Sequence, residues 1–183
     1  SVYKGNTDMA VTKFSATGAV VYATYIGSTG YDNFYAMKII NGEVYLLGTA
    51  DSIGYPVTNG SVFKGRTDVV FTKLNANGAI AFSTYLGGSK SDFPTNDLSL
   101  VGNDVIIGGF TLSEDFPVMS GSYNGGSRDG FVTKINMQSG LITASILIGG
   151  SLEDTISGIY VENGFVFVVG NTFSVDIPVT IGN

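Results

Sequence analysis

Apolar residues in this chain fall in short runs of two kinds, separated by turns rich in glycine and asparagine. Runs of the first kind are apolar throughout: "VYLLG" at 44–48, "VIIGG" at 105–109 and "VFVVG" at 166–170. They are too short for helices and rich in β-branched residues, so they predict strands packed on both faces. Runs of the second kind alternate, as in "AMKII" at 36–40, where Met37 and Ile39 oppose Ala36, Lys38 and Ile40. "DLSLV" at 97–101 and "GIYVE" at 158–162 alternate likewise. Period two predicts a strand with one packed face. Each alternating run turns back toward its apolar partner at an asparagine–glycine pair: Asn41-Gly42, Gly102-Asn103 and Asn163-Gly164. Such pairs supply the positive φ of a tight hairpin turn.

Two more strands follow in each copy. "VTKF", "FTKL" and "VTKI" end at Phe14, Leu74 and Ile135, and "VVYATYI", "IAFSTYL" and "LITASILI" end at Ile26, Leu86 and Ile148. The loops between them finish at Gly18, Gly78 and Gly140, and no sustained helical period occurs. Gly48, Gly109 and Gly170 lie 61 apart, as do Pro56, Pro117 and Pro178. One unit is therefore written three times, at about 1–60, 61–121 and 122–183. Four antiparallel strands per repeat, with a buried second strand, predict an all-β fold of β-propeller blades.

The phase of the repeat predicts a blade split across the termini. With inner strand A at "AMKII", the chain reads C–D, then A–B–C–D twice, then A–B. Met9–Ile26 would supply C and D of that blade, and Gly158–Asn171 its A and B. Joining the closing "PVTIGN" to the opening "SVYKG" nearly reproduces the internal "PVTNGSVFKG". Three blades cannot close a ring, since propellers need four to eight. The missing blades would come from a longer protein or from identical copies, in a ring or a filament. The opening at Ser1, without Met, predicts an excised or processed segment.

Composition narrows the function. The chain is 44% hydrophobic and 13% charged, with net charge −6 and nine scattered basic residues, which argues against a nucleic-acid partner. No apolar run approaches the ~18 residues of a membrane-spanning helix, so membrane insertion is not expected. Cysteine is absent, which excludes disulfides and thiolate metal sites. Histidine is absent too, removing the usual general base, the Ser-His triad and the commonest zinc ligand together.

The segments "DVVFTKLNANGAIAFSTYLGG" and "NDVIIGGFTLSEDFPV" resemble the bacterial β-propeller repeat often called SBBP. The middle unit is the nearest match. The third carries "SILIGG" for "STYLGG", and the first has Gly54-Tyr55-Pro56 where Asp-Phe-Pro is expected. The resemblance implies a propeller in a large, secreted or surface-displayed protein, and implies no particular activity.

Candidate chemistry is sparse. Aspartate outnumbers glutamate 11 to 4, but no D-x-[DN]-x-[DN]-G loop occurs. Asp32, Asp92 and Asp154 recur at one turn, and Asp8, Asp68 and Asp129 at another, as turn residues do. No cofactor is expected; calcium is compatible with these carboxylates, with "LED" at 152–154 the best remnant of a site, but is not required for folding. Asp97 and Glu162 lie at opposite ends of inner strands, which argues against a joint glycosidase site. The D–A loops ("STGYDNFY", "GSKSDFPT", "GSLEDTIS") and the long B–C loops (50–67 and 111–128) share one face of a propeller. There Tyr31, Phe34, Tyr35, Tyr55, Phe93 and Phe116 could offer flat apolar faces to a protein partner or a surface glycan. For Tyr55 and Phe116, each just before a proline, packing on the blades is the favoured reading, whereas for Tyr31, Tyr35 and Phe93 the two readings stand level. The sequence thus reads as a non-enzymatic extracellular scaffold for display or adhesion, with a glycan-binding module as the alternative.

Overall fold

The computed structural model describes residues 2–177, which form twelve strands and no helix. Strands β1 (Met9–Phe14) and β2 (Val20–Ile26) make a two-stranded antiparallel sheet. Strands β3 (Asp32–Ile40), β4 (Glu43–Ala50), β5 (Asp68–Leu74) and β6 (Ile80–Leu86) make a four-stranded sheet in chain order. Strands β7 (Asp92–Val101), β8 (Asp104–Thr111), β9 (Asp129–Asn136) and β10 (Ile142–Ile148) repeat it. Strands β11 (Asp154–Glu162) and β12 (Phe165–Thr172) close the series as a pair, and the four sheets do not join into a ring. The closing "PVTIGN", with Pro178, lies outside the described residues.

The hairpin turns follow their residues. Asn41 and Gly42 both have positive φ (52° and 80°), as do Asn163 and Gly164 (50° and 82°), which is type I′ geometry. The middle unit inverts the pair, and there only Gly102 is left-handed (58°), as a type II′ turn requires.

Each inner strand carries an irregularity opposite one repeated glycine. The β3–β4 register slips between Phe34 and Ala36, β7–β8 between Pro94 and Leu98, and β11–β12 between Ile156 and Gly158. The bulge presses a carbonyl onto the facing strand. A Cβ on Gly48, Gly109 or Gly170 would lie 2.4, 2.1 or 1.8 Å from the oxygen of Asn33, Phe93 or Thr155. The 61-residue glycine spacing therefore records a close approach of two backbones.

The core lies between sheets. Leu47, Phe71 and Val69 pack with Leu98, Ile107 and Phe131 in one buried cluster. Leu46, Val70 and Tyr85 pack with Met9 and Ile26 in another. Adjacent residues of β4 thus serve opposite clusters, which is why the run is apolar throughout. Strand β12 departs from the expectation of a strand packed on both faces. All eight of its residues are exposed, because no third strand lies along its outer edge among the described residues.

Candidate functional site

The turns after β2, β6 and β10 lie on one face and are held by carboxylates from neighbouring segments. Asp32 accepts hydrogen bonds from the Ser28 amide (2.7 Å) and hydroxyl. Asp92 accepts from the Gly88 amide (2.8 Å) and from the hydroxyls of Ser113 (3.1 Å) and Thr111. Asp154 accepts from the Gly150 amide (2.7 Å) and the Ser174 hydroxyl (2.8 Å). Each of these aspartates opens an inner strand, so the strand fixes the carboxylate and the carboxylate fixes the turn. Backbone bonds add a link to the preceding sheet: the amides of Asp32, Asp92 and Asp154 donate to the carbonyls of Thr7, Thr67 and Arg128 (2.8, 2.7 and 2.9 Å).

A second carboxylate binds the tip of each turn. Asp115 accepts from the amide and hydroxyl of Ser89 (both 2.8 Å), and Asp176 from those of Ser151 (2.9 and 3.1 Å). The first unit has Gly54 in place of this aspartate. There Asp51 substitutes by accepting from the Tyr31 amide (2.6 Å), and Ser52 meets Ser28 at 2.8 Å.

The third carboxylate set precedes the "TK" strands. Asp8 accepts from the amides of Lys4 and Gly5 (3.0 and 3.2 Å), Asp68 from Lys64 and Gly65 (2.8 and 3.2 Å), and Asp129 from Asn124 (2.8 Å). A Cβ on Gly87 would lie 2.6 Å from Asp68 Oδ1 and 2.7 Å from Asp92 Oδ2, so the two carboxylates flank that glycine closely. Both are fully buried. Burial, reinforced by the charge of Asp92 and opposed by the backbone donors, pushes the Asp68 pKa up to about 6. Burial also raises Asp32, Asp92 and Asp129. Among the described residues no three His, Cys, Asp or Glu side chains converge into a set that could hold a metal ion.

The aromatic candidates separate by position. Tyr31 stands 53% exposed at the tip of its turn. Tyr55 and Phe116 are 3% exposed and belong to the core, so their rings face no partner. Tyr55 bonds Thr72 through its hydroxyl (2.8 Å), and Phe116 lies 4.6 Å from the Phe131 ring. Phe93 is half-buried and stacks on Phe110 at 5.2 Å, with Arg128 over the other ring. Tyr35 is half-buried in β3. Phe34 is exposed, but it lines a groove with Met9, Val11 and Met37 beside β1 rather than joining Tyr31. Of the two inner-strand acids, Asp97 is ion-paired with Lys38 at 3.1 Å, and Glu162 is exposed at the end of β11.

Sequence reasoning passed over two features. Tyr85 donates its hydroxyl to the Ser52 carbonyl (2.9 Å) and accepts the Tyr55 amide (3.0 Å), anchoring the 50–67 loop. The repeated lysines form cross-strand ion pairs, Lys73 with Glu43 (2.9 Å) and Lys134 with Asp104 (2.7 Å). The acids facing them, both just past a hairpin turn, were the available signal. Lys73, Glu43 and Tyr45 also line a groove of about 630 Å³ by the hairpin turns. No protein-family model and no curated protein matches this chain.

Proposed function

We propose that the chain is an arc of β-propeller blades serving as a non-enzymatic scaffold outside the cell or on its surface, with its turn face offered to a protein partner. The blade reading is supported by the repeated strand order β3–β4–β5–β6 and β7–β8–β9–β10, and by sheets stacked through both faces. The extracellular setting follows from the quoted resemblance alone.

One observation carries the function. The carboxylate frame of the turn recurs in all three units, whereas the side chains mounted on it differ. Tyr31, Ser91 and Glu153 occupy one position; Gly30, Lys90 and Leu152 occupy the next. A fixed frame with changing display suits a protein surface, whose chemistry varies from point to point. A lectin-like module would repeat one pocket per unit. The turns present Tyr31 and Ile53 (72% exposed) in the first unit, the Lys90–Glu114 ion pair in the second, and Leu152 (49%) with the Arg128–Glu153 pair in the third. An apolar anchor among charged residues is the composition of a protein-recognition patch.

The test is binding of the labelled chain to bacterial cells, compared with a Tyr31→Ser, Ile53→Ser variant. Binding that the variant loses and that protease treatment of the cells abolishes is expected. Binding that survives protease but is competed by free sugars would favour the glycan reading. Absence of binding would overturn both.

A further inference from the structure

Equivalent positions in repeated units should be equally buried, and in several places they are not. Leu46 and Ile107 are 2% and 0% exposed, but Val168 is 37%. Val44 and Val105 are 5% and 0%, but Val166 is 44%. Leu98 and Ile159 are 0% and 4%, but Met37 is 50%; Leu74 and Ile135 are 0% and 2%, but Phe14 is 60%. The exposed copies cluster along β12 and beside β1. Next to β12 runs an apolar groove of about 210 Å³ lined by Ile106, Val132, Ile146, Ile148, Val166 and Val168. Next to β1 runs one of about 270 Å³ that includes Phe34 and Met37. At the internal junctions, β5 lies on the edge of β4 and β9 on the edge of β8.

We propose that the two exposed regions are halves of one interface, in which β1 of a second copy pairs antiparallel along the edge of β12 that has no third strand among the described residues. The internal junctions fix the register. Leu46 faces Thr72 and Leu47 faces Phe71, so Val168 faces Thr12 and Val169 faces Val11 of the other copy. The incoming β1–β2 pair covers the groove against β9 and β10. Reciprocally, β11–β12 covers the groove at Met37 of the second copy.

A second copy is the occupant because it carries both complementary edges. A single strand from an unrelated partner would cover one groove and leave the other open. Two copies about a two-fold axis close both through identical junctions, which together make six four-stranded sheets. The new junction differs from the internal ones in one respect. Phe165 stands where Glu43 and Asp104 bind their lysines, so Lys13 finds no acid there and the seam is apolar rather than ion-paired. The proposal stands on strand register and is independent of what the turn face binds.

The chain has no cysteine, so introduced thiols report on this seam alone. Directly opposed residues of an antiparallel pair have Cα atoms about 4.5–5.5 Å apart, within reach of a disulfide. Val11→Cys and Val169→Cys chains, refolded together and oxidised, should cross-link into a two-chain species; neither should do so alone. The unsubstituted chain should weigh about 38 kDa in dilute solution, twice its 19.1 kDa. A 19.1 kDa monomer overturns the proposal, as does a two-chain species that this pair fails to cross-link. A ladder of larger multiples refutes the two-fold closure.

Discussion

Replacing Asp68 by Asn removes the ionisable group from a fully buried turn. In the folded chain the carboxyl is raised from 3.8 to about 6, by burial first. In the unfolded chain it ionises near its ordinary value. Below about pH 4 both states hold the proton, and the group does not affect stability. Between about pH 4 and 6 the unfolded state releases the proton first. The folded state then binds more protons, so stability falls as pH rises, by up to about 1.4 kcal/mol per pH unit. Above about pH 6 the full penalty of about 3 kcal/mol is in place. The asparagine variant has no such penalty. Its own cost comes from substituting an amide nitrogen for one of the oxygens that accept from Lys64 and Gly65, which is independent of pH. The quantity to measure is therefore the difference between the two proteins as a function of pH. Urea unfolding followed by far-UV circular dichroism and tyrosine fluorescence suits a chain with ten tyrosines and no tryptophan. From about pH 4 to pH 8 the Asp68→Asn variant should gain about 3 kcal/mol relative to the parent. Asp32, Asp92 and Asp129 share the direction of shift, so the variant keeps a pH dependence of its own. Parallel profiles for the two proteins would refute the reasoning.

Three further substitutions probe the frame. Tyr85→Phe should cost about 1–3 kcal/mol by leaving the Ser52 carbonyl and Tyr55 amide without their partner, and should speed proteolysis within 50–67. Gly109→Ala should cost at least about 1–3 kcal/mol, since its Cβ would meet the Phe93 carbonyl at 2.1 Å; an unchanged melting temperature would contradict the bulge geometry. Lys134→Ala should cost no more than about 1 kcal/mol, and the loss should shrink in high salt, because the Asp104 pair is partly solvated.

The strands were legible because local chemistry decides them. Asn41-Gly42 can hardly be anything but a hairpin turn, and "VYLLG" leaves no polar face to expose. The proline after Tyr55 and Phe116 signalled packing on the blades for those two, and both are buried. No local signal set Tyr31, Tyr35 and Phe93 apart, and only the fold leaves Tyr31 exposed while it half-buries Phe93 against Phe110. The substitution of Asp51 for the missing aspartate at Gly54 was equally hidden, since the two differ in sequence position and meet the turn from different directions. The repeated glycines showed their spacing but not their cause, because the carbonyl that excludes a side chain belongs to another strand. Strand β12 reads as buried because its sequence encodes a packed strand, while its burial depends on an edge that the described residues do not supply.

The backbone bonds from Asp32, Asp92 and Asp154 to the preceding sheets also have a mechanical consequence. The chain enters each four-stranded sheet on its inner strand and leaves on its outer one, and each entry point is stitched to the sheet before it. Tension applied along the chain would have to break that stitch before it could peel the sheet behind it. Extension should then come in discrete steps, one unit at a time, each releasing roughly 20 nm of contour. Built this way, the array can yield under load by giving up one repeat while its neighbours remain folded.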